Sequence, residues 1–188
     1  MEALEEKIDR LLTGTPYRMP PEEKTPALLE VLKETGVTTF FLQDKVDTGE
    51  IILQARLPIG ENETSGELHD KLALVGAEIV LHSVNLIQNG KLEGRKQDNS
   101  IASSAPKIYK EILRINWNRK SSDLHNLIRG LSPYPGAFTL HRGKKIKIYR
   151  ALISNLKGLK PGEISVAGGK LFAGSSDGSM EIVELQQE

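Results

Sequence analysis

Two apolar runs with a polar break between them organise the first half of the chain. Val37 to Leu42 and Ile51 to Leu57 have strand length and are rich in β-branched and aromatic residues. Asp47-Thr48-Gly49 lies at the end of the break. Glycine there lets the backbone turn where a Cβ would clash. The pattern predicts two neighbouring strands over 37–57, with Asp47 exposed at one end. The ordinary role of an aspartate beside Thr-Gly is to bond its own backbone in the turn.

The flanking pattern is helical. Leu4, Ile8, Leu11 and Leu12 share one face of a short helix over 2–12. Thr13-Gly14 ends it, and Pro16 to Pro21 reads as a connection. Thr25 and Pro26 open a second helix, which Thr35-Gly36 would stop. After Leu57, Thr64 with Glu67 three residues on spells a capping box. The helix it starts carries Leu68, Leu72, Val75 and Ile79 on one stripe and ends near Asn89-Gly90.

Residues 91–105 are polar and without period, as expected of an inter-domain linker. Ser122 begins another helix that ends at Gly130. Short strands follow at Ala137–Leu140, Lys145–Leu152, Glu163–Ala167, Lys170–Ala173 and Ser179–Leu185. Arg142-Gly143, Gly168-Gly169 and Asp177-Gly178 mark the turns. Strands at this spacing predict a small barrel. The expected division is a helical leader over 1–33, an α/β part over 34–90, the linker, and a barrel over 106–188.

Composition narrows the class. The chain has 188 residues and no cysteine, which excludes disulfides and thiolate metal sites. That fits a reducing compartment, and a cytoplasmic location is expected. No apolar run of about 18 residues exists, so no membrane span is expected. The acidic start is unlike a secretory signal. His69 and His82 lie on or near the long helix; neither has a second histidine four residues away, and the one carboxylate at that spacing, Glu78 before His82, makes no ligand set on its own, so metal ligation is not expected.

The formal net charge of zero hides a strong polarity. Residues 1–94 carry 9 Lys/Arg and 17 Asp/Glu, a net of −8. Residues 95–150 carry 13 and 3, a net of +10. Residues 151–188 carry 3 and 5. A basic segment inside a neutral chain points to a polyanion such as nucleic acid. Arg129, Arg142, Lys144, Lys145, Lys147 and Arg150 are the candidate contacts. Lys145 and Lys147 alternate with Ile146 and Ile148, which predicts one basic, solvated face and one buried face. Tyr149 shares the basic face and can stack on a base or simply pack.

Several motifs carry a resemblance. Gly36-Val37-Thr38 with Val46-Asp47-Thr48-Gly49-Glu50-Ile51 resembles the formyl-transfer region of the 10-formyltetrahydrofolate-dependent formyltransferases. The methionyl-tRNA formyltransferases are the most similar. Ile115-Asn116-Trp117, Leu127-Ile128-Arg129 and Pro133-Tyr134-Pro135-Gly136-Ala137-Phe138 are similar to the C-terminal domain of the same family. The resemblance runs from about Glu34 to Glu188.

It implies an α/β remnant of a Rossmann-like formyltransferase domain followed by a small open barrel of the OB-like kind. It implies Asp47 as the catalytic aspartate, which holds a water and assists proton movement off the attacking amine. It further implies 10-formyltetrahydrofolate as co-substrate and initiator methionyl-tRNA as partner. Two family motifs, Asn-x-His and Ser-Leu-Leu-Pro, do not occur in this sequence, and Phe40 stands where some relatives have histidine. The isolated chain is therefore expected to be close to inactive. The other readings are a tRNA-binding module without catalysis and a relative that formylates a sugar nucleotide.

Overall fold

A computed structural model describes residues 33–45, 47–102 and 108–188. The helices expected over 2–12 and from Thr25 onward lie outside the described residues, apart from the stop at Thr35-Gly36. Those two residues sit inside a strand, β1 (Glu34–Phe40), rather than at a helix end. Glycine is needed there because the chains approach closely. A Cβ on Gly36 would lie 2.4 Å from the Ala55 carbonyl oxygen.

The chain divides into two compact units. Among the described residues the first takes 33–60 and 68–102, and the second takes 61–67 and 108–188.

In the first unit β1 pairs antiparallel with β2 (Ile51–Pro58), with Glu34 opposite Pro58 and Phe40 opposite Ile51. This is the pair expected from the two apolar runs. A two-stranded ribbon alone is marginal in water, and here it is held by α1 (Ser65–Gln88). The Thr39 and Ser83 hydroxyls meet at 2.7 Å, and Gly76 faces Val37. The expected stripe on α1 is turned inward at Ile79 and continues to Ser83. A second apolar stripe, with Leu74, Leu81 and Val84, is exposed on the opposite side.

Both ends of α1 follow local rules. Thr64 Oγ1 accepts from the Glu67 backbone N–H at 3.3 Å, and Glu67 Oε2 accepts from the Thr64 N–H at 2.8 Å. That is the reciprocal capping box. At the other end the Gly90 N–H donates to Ile87 O and the Lys91 N–H donates to Leu86 O. Gly90 has φ +62°, so the helix closes with a Schellman turn.

In the second unit five strands form one antiparallel sheet in the order β3-β4-β7-β6-β5. They are β3 (Ala137–His141), β4 (Lys144–Ser154), β5 (Ile164–Ala167), β6 (Lys170–Gly174) and β7 (Ser179–Gln187). β3–β4 and β5–β6 are joined by two-residue turns with both residues at positive φ, Arg142-Gly143 and Gly168-Gly169. β4 is irregular between Ile148 and Ala151, where bulges raise its twist and bend the sheet.

The sheet curls so that residues of all five strands, with Trp117, line one cavity of about 200 Å³. The Trp117 indole donates to Thr139 Oγ1 at 3.1 Å. α2 (Ser121–Leu131) packs on this sheet with Leu124, Leu127, Ile128 and Leu131 buried. They share a core with Ile115, Ala137, Ile148, Ala151, Ala173, Met180 and Ile182.

The start of α2 differs from expectation. It begins at Ser121, and Lys120 at the cap position gives no side-chain bond. The cap comes from Asp177, in the loop between β6 and β7, whose Oδ1 accepts from the Ser121 N–H at 2.8 Å.

Candidate functional site

The first candidate is the connection between β1 and β2. Asp47 sits there, exposed, with φ +58°. Positive φ is uncommon outside glycine, and aspartate is among the side chains that tolerate it. The turn is held by other residues. Thr48 Oγ1 donates to Lys45 O at 2.9 Å, and the Phe41 N–H donates to Glu50 O at 3.0 Å. Gly49 is buried, and a Cβ on it would fall 1.5 Å from the Phe41 carbonyl oxygen.

The segment from residue 91 onward, expected as an inter-domain linker, bonds to this turn. Arg95 and Ile51 exchange backbone hydrogen bonds of 2.8 and 2.9 Å. Gln97 Nε2 donates to Asp47 O at 2.8 Å and to Gly49 O at 2.7 Å. Arg95 also donates to Gln54 Oε1. A polar stretch without hydrophobic period gives no sign of such anchoring, because backbone and amide bonds carry it.

The outcome is a fixed main chain with the Asp47 carboxylate left over. It receives no hydrogen bond from any described residue. The side-chain bond that closes this turn is donated by Thr48 instead. No described residue other than Asp47 at this turn offers a free carboxylate held by a positive-φ backbone.

The second candidate is the basic surface of the second unit, and the structure separates its members. Arg142 and Lys144 stand exposed at the β3–β4 turn. Lys145 and Lys147 are half-buried, and one carboxylate bridges them. Glu188 Oε2 lies 2.7 Å from Lys145 Nζ, and Oε1 lies 2.6 Å from Lys147 Nζ. The expectation of a solvated lysine face did not include this partner. The β4–β7 register brings it there, and the Glu188 N–H donates to Lys145 O at 3.0 Å.

The hydrogen bond that Lys147 donates to Glu188 holds Lys147 above its usual range, and the two lysines hold Glu188 below the usual carboxylate range. Lys145 Nζ also sits 4.8 Å from the centre of the Phe138 ring. The Tyr149 hydroxyl donates to Gln186 Oε1 at 2.9 Å.

Arg150 and Arg129 point to internal partners. Arg150 Nη2 meets Glu67 Oε1 at 2.6 Å, and its Nη1 donates to Asn62 O at 3.3 Å. Arg129 Nε donates to Asn126 Oδ1 at 2.8 Å, and burial lowers its pKa. Lys107, a further member of the basic segment, lies outside the described residues. Among the described residues no group of three or more His, Cys, Asp or Glu side chains is placed to hold a metal ion.

Comparison with known proteins fits both candidates into one family. The profile described as formyl transferase, C-terminal domain, matches residues 107–188, and the profile described as formyl transferase matches residues 23–84. The chain belongs to the formyltransferase family. The second match begins at Glu23, inside the stretch expected as a separate leader.

Among curated formyltransferases, the methionyl-tRNA formyltransferase of Chlorobium luteolum is 45% identical over 166 residues, covering 86% of this chain and 53% of its own. That of Carboxydothermus hydrogenoformans is 39% identical, covering 83% and 51%. The chain thus spans about half the length of the curated relatives it matches.

Solved structures share the fold at lower identity. HypX from Aquifex aeolicus in complex with tetrahydrofolic acid has a TM-score of 0.69 at 21% identity, covering 86% of this chain and 29% of that one. The N-formyltransferase from Helicobacter canadensis, complexed with folinic acid and dTDP-3-aminofucose, has 0.65 at 23%, covering 86% and 59%.

Proposed function

We propose that this chain serves in formylation of the amino group of methionyl initiator tRNA, with 10-formyltetrahydrofolate as donor and Asp47 as its catalytic residue. The curated relatives are named for that activity, at 39–45% identity for the two quoted above. The reaction is acyl transfer. The amine of the methionyl ester attacks the formyl carbon, a tetrahedral oxyanion forms, and it collapses with the folate nitrogen as leaving group. The proton lost by the attacking amine ends on that leaving nitrogen.

Such a step needs a proton route and donors for the oxyanion. The observation that carries the reading is the Asp47 carboxylate. It is exposed, unpartnered among the described residues, and held on a turn fixed by Gly49, Thr48 and Gln97. A carboxylate so placed can hold a water on the proton route. The donors of an Asn-x-His pair are not in this sequence. Groups that act as a unit lose most of their effect when one is gone. The isolated chain therefore turns over at background rate while it still binds tRNA.

The binding part is the curled five-stranded sheet, which we assign to the OB-like open barrels. Its exposed basic corner at Arg142 and Lys144, with Lys145 and Lys147 beside it, suits phosphate contact without base readout. Arg129 and Arg150 support the framework behind it through Asn126, Glu63, Asn62 and Glu67.

The test is a formylation assay with methionyl-tRNA and 10-formyltetrahydrofolate, run beside tRNA binding and folate binding. We expect tRNA binding without turnover. Turnover that disappears in Asp47→Asn would overturn the inactivity and retain the role of Asp47. tRNA binding with no folate binding at any accessible concentration would leave the chain a binding module alone.

A further inference from the structure

Tyr134 is the most exposed tyrosine of the chain's described surface, at 86%, yet its loop is rigid. The Ser132 carbonyl accepts from the Gly66 N–H at 3.0 Å and from Ser65 Oγ at 2.6 Å. The Gly136 N–H donates to Leu131 O at 2.8 Å. Pro133 presses on Gly66, where a Cβ would come within 2.5 Å of its Cδ. Pro135 restricts the Tyr134 backbone to extended conformations. The chain thus ties down the backbone that carries a large aromatic ring out into water, against the tendency of such rings to be buried.

Two residues on from Tyr134 the loop meets the basic strand, and Tyr134 lies close enough to Lys147 to act on its charge. Gly136 is covered by Lys147 Cδ and Tyr149 Cε1, each at 3.2 Å from where its Cβ would be. Lys147 and Lys145 then grip the two oxygens of Glu188. Two ammonium groups on two oxygens of one anion is the arrangement that a phosphate would also satisfy. The pair is only partly covered, so its loss costs modest stability and an anion of the same geometry can take the carboxylate's place.

We infer that Tyr134, Lys145, Lys147 and Glu188 form a subsite for one unpaired RNA nucleotide. The base stacks on the Tyr134 ring, and the phosphate replaces the Glu188 carboxylate between the two lysines. Glu188 is then an internal competitor that sets how strongly the site takes phosphate. Both lysines keep it ionised at neutral pH, so the competition persists there. The net charge of +10 over residues 95–150 supplies the attraction for a polyanion. Base stacking on an aromatic ring is tolerant of sequence, which matches a site that offers no base-edge donors in a fixed array.

The inference rests on the tRNA-binding reading above, and one experiment separates the two. The full chain is titrated with fluorescein-labelled single-stranded RNA of mixed sequence, a duplex of equal length, and initiator tRNA, at several salt concentrations. Tyr134→Ala should weaken the single strand about 5-fold or more, with Tyr134→Phe close to wild type. The duplex should not respond to Tyr134→Ala.

Glu188→Gln should tighten the single strand and steepen the slope of log affinity against log salt by about 0.7 for each phosphate gained. Both substituted side chains are at the surface, and circular dichroism checks that each variant folds. Single-strand affinity unchanged in Tyr134→Ala overturns the stacking, and affinity unchanged in Glu188→Gln overturns the displacement. If every variant binds tRNA as wild type does, the subsite falls and tRNA binding stands. If wild type binds no tRNA, both fall.

Discussion

Asp177 caps a helix that begins 56 residues before it. Its Oδ1 accepts from the Ser121 backbone N–H at 2.8 Å and from Ser121 Oγ at 3.0 Å, while Ser175 Oγ adds a third bond at 3.2 Å. The first N–H groups of a helix have no partner within it, and a carboxylate there also meets the positive end of the helix dipole. The Ser121 N–H is the main reason the Asp177 carboxyl is held below its ordinary range. A group with a depressed folded pKa stabilises the fold above its unfolded value and loses that effect as pH falls through the folded one. Asp177→Ala should therefore lower the melting temperature by a few degrees at neutral pH. The difference from wild type should shrink as pH falls below about 3.8, read by thermal unfolding at several pH values.

That cap shows where sequence reading ended. The capping box of Thr64 and Glu67 was legible because both partners sit within one helical turn. The five strands were legible because their period and their glycine turns are local too. Asp177-Gly178 was read as a hairpin signal, and its loop does join β6 to β7. Its carboxylate, however, serves a distant helix. The Gln97 bonds to the Asp47 turn and the Glu188 bridge between Lys145 and Lys147 are of the same kind. Each depends on which segments fold together, and no periodicity in the chain records it. Thr35-Gly36 misled for a related reason, since the glycine is required by the neighbouring strand at Ala55.

Gly49 and Asp47 should separate structure from chemistry. A Cβ on Gly49 would meet the Phe41 carbonyl carbon as well as its oxygen, at 2.7 and 1.5 Å, and backbone yields poorly. Gly49→Ala should cost about 3 kcal/mol and open the 41–50 segment to protease. Asp47→Asn keeps size and removes only charge, at a side chain without a described partner. Its melting temperature and cleavage pattern should match wild type. A large loss of stability in Asp47→Asn would mean that the carboxylate is structural.

Thr64 offers a quantitative check on the helix start. It is 5% exposed, and its hydroxyl is the acceptor for the Glu67 N–H. Thr64→Ala should cost about 1 kcal/mol in denaturant unfolding, and Thr64→Ser much less. Glu67 also faces Arg150, so Glu67→Gln should weaken that contact as well as the box. The Glu67 carboxyl is lowered mainly by the Thr64 backbone N–H, then by Arg150 and the Thr64 hydroxyl. Its contribution is present above about pH 4.5 and fades below it, so the Thr64→Ala penalty should narrow in acid.

His125 gives the prediction nearest neutral pH. It is 6% exposed on α2, and its Nε2 lies 2.9 Å from Asn62 Oδ1. Burial is the largest influence on it and disfavours the imidazolium. Arg129 adds to this by charge, and Glu61 opposes it. The pKa is thus lowered from the ordinary 6.5. The unfolded chain then binds the proton more readily than the folded one, so stability rises with pH across this window. It should fall as pH drops from about 6.5 towards the lower folded value, and level off beneath it. The ring resonances of His125 should titrate below the ordinary imidazole value of 6.5 in an NMR pH series. His125→Gln, which keeps a hydrogen-bonding group towards Asn62, should flatten the stability curve between about pH 5 and 7 without changing the carboxylate limb at lower pH. A His125 that titrates at or above 6.5, or a His125→Gln curve parallel to wild type through that window, would show that Glu61 outweighs burial.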